Sequence, residues 1–252
     1  MTDSLLCKHD GPIATVTINR PEQRNALNAE VLGALRVRLA ELSVDSKTHV
    51  VVLRGEGAKS FCSGFDLEEM VSEKSDRSLL VSVFQEMFAL GKPLIAAVQG
   101  NALAGGMGLA VACDFVVADD SAVFGLPEIN VGLWPFVITI PLLYSLPPKV
   151  VLELMMTGRK VNAIEAQRLG IANRVVKSSE LETELKALAD ELAAKPQQTM
   201  RIGRQSFYDV LEGSVSQNFD QLLVAFSSIV STDDAQEGIA AFREKRSPRW
   251  AQ

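Results

Sequence analysis

GNALAGGMGLA, residues 100–110, is the stretch that decides how the chain folds. It follows Leu94 to Val98, a continuous apolar run after Pro93 that predicts a buried strand. Glycines directly after a buried strand let a second backbone or a ligand approach closely, because no Cβ stands in the way. Gly106 to Cys113 reads as a helix. If it begins near Gly105 or Gly106, its first N–H groups are unpaired and lie at the positive end of the helix dipole. Such a turn suits a phosphate or a developing oxyanion. It is equally readable as tight strand–helix packing. It is no Walker loop, since no Gly-Lys-Ser/Thr follows, and Gly106 and Gly108 lack the third glycine of a dinucleotide fingerprint.

A second turn of the same kind lies upstream. FCSGFDLEEM, residues 61–70, follows the β-branched run Val50 to Leu53 and the glycine-rich connection RGEGAKSFCSG. Gly64 can free the N–H of Phe65, and Asp66 can cap a following helix, although alone this motif reads first as a structural turn. Two turns after two buried strands raise the possibility of paired N–H donors meeting at one oxygen. Downstream, Ala122 to Phe124 reads as a short strand entering FGLPEINVGL, where Glu128 sits among apolar residues. A carboxylate so placed is expected to have a raised pKa, fitting a general base or acid, or else to face solvent beside Pro127. Trp134, Pro135 and Phe136 fit a pocket wall or plain core.

The remaining pattern is α/β followed by helices. IATVTI, residues 13–18, alternates as a half-buried strand and leads into NRPEQRN. Asn28 is placed to cap a helix from Ala29 to about Leu42 whose Val31, Leu32, Leu35, Leu39 and Leu42 share one face. Helices are expected at Leu79 to Leu90, Val150 to Met156 and Ala163 to Leu169, with strands at Phe115 to Ala118 and Ala172 to Val176. Beyond about Ser178 the spacing is helical, covering Leu181 to Ala194 and much of Arg201 to Phe242. Strand–helix units early and helices late define the class.

Composition narrows the function. The 252 residues carry 47% hydrophobic and 22% charged residues, the balance of a protein that buries a sizeable core. A net charge of −6 argues against broad binding to nucleic acid backbones. Cys7, Cys62 and Cys113 form no CxxC pair and read as reduced thiols, with no structural metal. His9 and His49 lack triad or ligand spacing. No apolar run reaches the ~18–20 residues of a membrane span, and the polar N-terminus resembles no signal peptide, so a cytoplasmic protein is expected. Arg243, Lys245, Arg246 and Arg249 read as a solvated cluster or as cations for a polyphosphate.

Taken together, these segments resemble the crotonase superfamily, the enoyl-CoA hydratase/isomerase family. The resemblance runs through NRPEQRNALN, VVLRGEGAKSFCSGFDL, KPLIAAVQGNALAGGMGLAVACDFVVA, FGLPEINVGL and LMMTGRKVNAIEAQRLGIANRVV to AFREKRSPRW. It implies an α/β spiral of ββα units over residues 1–190 and a helical C-terminal region over residues 191–252 that serves oligomerisation, as a homotrimer or dimer of trimers. It implies an acyl-CoA thioester substrate, with coenzyme A part of the substrate and no further cofactor. The two thioester-binding N–H groups map onto Phe65 and Gly105, and the acid/base onto Glu128. Substrate contacts map onto Arg24, Ala26, Ser63, Gly64, Asp66, Leu67, Gly106, Trp134, Phe242 and Lys245. Hydratases of the family usually carry a further glutamate on the helix after the second turn, and that position is Gly108 here. The single glutamate favours Δ3–Δ2 isomerisation. The alternatives are a 2-enoyl-CoA hydratase working without the first glutamate, and a catalytically silent acyl-CoA-binding protein.

Overall fold

The computed structural model describes residues 4–66, 78–212, 228 and 232–249. The chain begins with β1 (Leu5–Asp10) and β2 (Ile13–Ile18), an antiparallel hairpin turning at Gly11, whose φ is +55°. Helix α1 (Ala29–Val44) follows, and then come units of strand, strand, helix. The first is β3 (Val50–Gly55), β4 (Ser60–Cys62) and α2 (Ser78–Ala89). The second is β5 (Leu94–Val98), β6 (Asn101–Leu103) and α3 (Gly105–Val111). The third opens with β7 (Phe115–Asp119) and β8 (Val123–Gly125) and continues into α4 (Thr139–Ser145) and α5 (Pro148–Thr157). Next come β9 (Lys160–Asn162), α6 (Ala163–Leu169) and β10 (Arg174–Val176). The remaining helices are α7 (Leu181–Ala193), α8 (Gln197–Glu212) and α9 (Asp233–Glu244).

Each ββα unit gives its long strand to one sheet and its short strand to another. The large sheet has the order β1-β2-β3-β5-β7-β10, parallel from β2 onward, and the small sheet the order β4-β6-β8-β9. This is the expected spiral. The central strands β3, β5 and β7 are buried on both faces, which is why they read as apolar runs. Val51, Leu53, Leu94, Ala96 and Val98 face the core between the sheets, with α1 and α2. Val50, Val52, Ile95, Ala97 and Val117 face the other way, onto Leu181, Leu185, Leu188 and Leu192 of α7. Helix α7 therefore packs on the spiral and runs through residue 190, where the sequence places the boundary of the helical region.

The cap of α1 is as expected: the Asn28 side chain accepts a 2.9 Å bond from the Val31 N–H, and all five apolar positions are buried. At about 1.5–3 kcal/mol for each fully buried aliphatic side chain, that stripe fixes the helix on the sheet. At the other end of the chain, Arg204 on α8 is clamped by its surroundings. It bonds Asp114 at 2.9 Å and the carbonyls of Phe88 and Met87 at the end of α2. Tyr208 donates to the same Asp114 at 2.7 Å. Strands β1, β4, β6 and β9 and helix α4 are additions to the sequence reading. Three-residue strands carry no usable period, and β1 exposes half its residues at the edge of the sheet.

Candidate active site

The C-terminal ends of β4, β6 and β8 define one place in the molecule. These three strands are adjacent and parallel, with Cys62 opposite Ala102 and Leu103 opposite Gly125. The chain leaving β4 makes the Gly64–Phe65 turn, that leaving β6 makes Gly105–Gly106, and that leaving β8 reaches Glu128. Parallel strands end on the same side, so three segments distant in sequence meet at one edge, the usual position of a ligand crevice in α/β sheets. The Ala104 N–H bonds the Gly125 carbonyl at 2.9 Å and ties the second and third segments together.

The two glycine turns are in contact. A methyl group on Gly64 would stand 2.7 Å from the Ala104 Cβ and 3.3 Å from the Gly105 nitrogen. One on Gly106 would fall 2.2 Å from the Cys62 carbonyl oxygen. Glycine is therefore required at both positions by close approach of backbone, and Gly64 also by its φ of +98°. Ala104, preceding α3, has φ +51° and ψ −125°, a conformation that costs a residue with a Cβ about 1–3 kcal/mol and that orients the 104–105 peptide. Among the described residues, neither the Phe65 N–H nor the Gly105 N–H donates a hydrogen bond within the chain.

The Phe65 peptide is held from behind by the loop that precedes α1. Leu27 donates to the Gly64 carbonyl at 2.7 Å, and Asp66 donates to the Leu27 carbonyl at 2.9 Å. These two bonds fix the peptides on either side of Phe65. The loop is in turn organised by Asn25, which is fully buried at φ +56°. Its Oδ1 accepts from the Arg20 N–H at 3.0 Å, and its Nδ2 donates to the carbonyls of Glu56 at 3.0 Å and Ser60 at 2.6 Å. Arg20 adds bonds to the Ala26 carbonyl at 2.7 Å and to Asp66 at 3.2 Å. Sequence reasoning missed Asn25 and Arg20 as supports. The available signal was an asparagine in a turn-rich segment, a residue type that tolerates left-handed backbone.

Glu128 lies in the 3-10 turn Pro127–Val131 directly after β8. Its Oε2 is the one buried side-chain oxygen or nitrogen among the described residues that has no hydrogen-bond partner. Burial pushes the carboxyl above its ordinary range, offset in part by its own main-chain N–H. Of the two readings left open by sequence, the half-buried carboxylate is the one found. Gly108, one turn into α3, faces hydrocarbon: a Cβ there would meet Ile138 Cγ2 at 2.4 Å and Phe84 Cζ at 3.3 Å.

The other expected site residues divide by position. Ser63 and Asp66 are half-buried in the first turn, and Ala26 is buried beside it with its carbonyl taken by Arg20. Arg24 is exposed at φ +53° on the rim of the same loop. Trp134 is half-buried against the main core. Lys245 is exposed at the end of α9, a helix that packs against α8. Leu67 and the Phe242 side chain lie outside the described residues. Cys62 is buried, and burial pushes its thiol up to about 12, which removes it as a thiolate nucleophile at neutral pH. Among the described residues no group of three or more His, Cys, Asp or Glu is gathered to hold a metal.

The family model described as enoyl-CoA hydratase/isomerase matches residues 8–252. Carnitinyl-CoA dehydratase of Salmonella typhi is 36% identical over 99% of this chain and 99% of its own length. The crystal structure of an enoyl-CoA hydratase from Mycobacterium smegmatis superposes with a TM-score of 0.94 at 34% identity, covering 99% of both chains. An enoyl-CoA hydratase/carnitine racemase from Magnetospirillum magneticum superposes with a TM-score of 0.88 at 30% identity, over 100% of this chain and 97% of the other. A family match over nearly the whole length, on the ββα spiral described above, means that this chain belongs to the enoyl-CoA hydratase/isomerase family of the crotonase superfamily.

Proposed function

We propose that this chain moves the double bond of an enoyl-CoA thioester from the 3,4 to the 2,3 position, with Glu128 as the proton carrier. The Phe65 and Gly105 N–H groups hold the thioester oxygen. The Glu128 carboxylate takes a proton from C2, and the electron pair delocalises as a dienolate whose charge rests on that oxygen. The carboxylic acid then returns the proton at C4, leaving the double bond at C2–C3 and the carboxylate as it began. Each N–H donor aimed at the oxyanion is worth about 3 kcal/mol of transition-state stabilisation. Exposed cations, Arg24 and Lys245 among them, supply the local field for the phosphates of an anionic substrate to an enzyme of net charge −6.

The observation that carries this reading is the unpartnered, buried Glu128 Oε2 at the edge where both free N–H groups stand. Hydration across C2–C3 is the second reading, favoured by the names of the hydratase and dehydratase relatives. It requires water to be activated and C2 to be protonated, and at position 108 no side chain is present to share that work. The test is a side-by-side assay of 3-enoyl-CoA and 2-enoyl-CoA, following conjugation and water addition separately, with wild type and Glu128→Gln. Isomerisation that falls by about 10²–10⁴ in the variant supports the role. Turnover that survives the substitution removes it, and calorimetry showing thioester binding without any turnover identifies a silent binder.

The proposal extends to assembly as a homotrimer or dimer of trimers and to a cytoplasmic setting. Exposed large apolar side chains are concentrated between residues 129 and 164, including Val131, Phe136, Ile140 and Met156. Such surface is normally covered by a partner. Among the described residues no helix is long and apolar enough to cross a membrane. Sedimentation equilibrium reads the assembly directly.

A further inference from the structure

We infer that Ile138 is the specificity-determining side chain of this site, the one that excludes water addition and leaves proton transfer as the outcome. The inference rests on the Glu128 reading and adds a residue that no sequence motif singles out. Gly105 and Gly108 are three residues apart on α3 and so share a helix face. A side chain at 108 would project beside the turn whose N–H is free. That volume is already filled: the built Cβ falls 2.4 Å from Ile138 Cγ2, 2.8 Å from Ile138 Cβ and 3.3 Å from Phe84 Cζ. Ile138 is 3% exposed and Phe84 5%, so both belong to the packed core.

The consequence follows from what each reaction needs. Adding water to a 2-enoyl thioester forms a bond from the water oxygen to C3, gives one water proton to a base, and places a proton on C2. The water must be held, and a held water takes two to four polar partners. Ile138 and Phe84 offer none on the wall under Gly108. Moving a proton from C2 to C4 needs no water, and one carboxylate completes it without net change. The hydrocarbon wall thus removes the competing reaction and leaves the dienolate to be reprotonated by Glu128.

Four variants test this: Ile138→Val, Ile138→Thr, Ile138→Ala and Glu128→Gln. Valine and threonine have nearly the same shape, so their difference isolates one hydroxyl and survives if the alanine variant folds poorly. The readout is the ratio of hydration of 2-enoyl-CoA to isomerisation of 3-enoyl-CoA, with circular dichroism to verify folding. Wild type and Ile138→Val are expected to share a low ratio, while Ile138→Thr and a folded Ile138→Ala raise it about tenfold or more. A ratio in Ile138→Thr equal to that of Ile138→Val, with isomerisation still abolished by Glu128→Gln, overturns the role of Ile138 and leaves that of Glu128 standing. A wild type that hydrates and does not isomerise overturns both.

Discussion

Asn25 is the residue on which the first turn of the site depends, and its removal has a calculable effect. Asn25→Ala deletes three hydrogen bonds made in a fully buried place, to the Arg20 N–H and to the Glu56 and Ser60 carbonyls. Each is worth about 1 kcal/mol net. Alanine must also adopt the φ of +56°, at about 1–2 kcal/mol. The expected loss is about 4 kcal/mol, and at 2–4 °C per kcal/mol for chains of this size the melting temperature falls by about 10 °C. Asn25→Gly keeps the backbone conformation and loses only the bonds, so it is expected to fall about 1 kcal/mol short of the alanine variant. Thermal and urea unfolding followed by circular dichroism at one protein concentration gives both numbers. Because this loop holds the peptides flanking Phe65, kcat is expected to fall further than KM rises in the variant that remains folded. An alanine variant within about 1 kcal/mol of wild type, with unchanged kcat, refutes the assignment.

Gly108→Ala is expected to lose about 1–3 kcal/mol, because the new methyl meets the branched carbon of Ile138 rather than a flexible end. Adding Ile138→Ala should restore part of that loss, and a loss that simply doubles would count against the contact. Ala104→Gly relieves the strained φ of +51° and is expected to gain about 1 kcal/mol in urea unfolding after the entropy of the new glycine is subtracted. Arg204→Met breaks a buried ion pair, leaves Asp114 with only the Tyr208 hydroxyl and the Leu94 N–H as donors, and takes the guanidinium from two carbonyls of α2, at about 3–5 kcal/mol. For Glu128, burial raises the folded value above 4.5, so the acid limb of kcat/KM, measured across pH, is expected above that value. The same sign governs stability. A carboxyl whose value is raised by folding contributes stability below its unfolded value and loses it as pH rises through the folded one. Glu128→Gln should therefore melt later than wild type above that window and gain nothing below it.

What the sequence disclosed follows physical range. The cap at Asn28 and the stripe from Val31 to Leu42 are local, so 3.6-residue spacing reveals them. The central strands β3 and β5 of the large sheet are buried on both faces, and that double burial writes itself as Val-Val-Val-Leu and Leu-Ile-Ala-Ala-Val. The small-sheet strands are three residues long and take their structure from neighbours, so nothing local announces β6 or β9. Asn25 bonds residues 31 and 35 positions away, and one sequence holds no sign of such partners. Gly108 was legible as a missing side chain, whereas the branched residue that fills its place comes from the loop beyond Glu128.

The unpartnered oxygen of Glu128 weighs most in the functional argument because folding gains nothing from it. A buried carboxylate without a partner is destabilising, and the ordinary outcome is a hydrogen bond or exposure. Here desolvation dominates and a single main-chain N–H offsets it incompletely. That imbalance holds the group closer in basicity to a carbon acid than a solvated glutamate would be, which is the direction a base needs. The packing under Gly108 follows the same logic in apolar form. Ile138 and Phe84 fill the space that a side chain at position 108 would take, so no polar group from that position is there to partner the carboxylate. Replacing Ile138 by threonine should therefore change two properties together, moving the acid limb of kcat/KM toward the ordinary carboxylate range as hydration appears. A pH profile that stays fixed while the product ratio changes would separate the two effects and show that Ile138 acts on water alone.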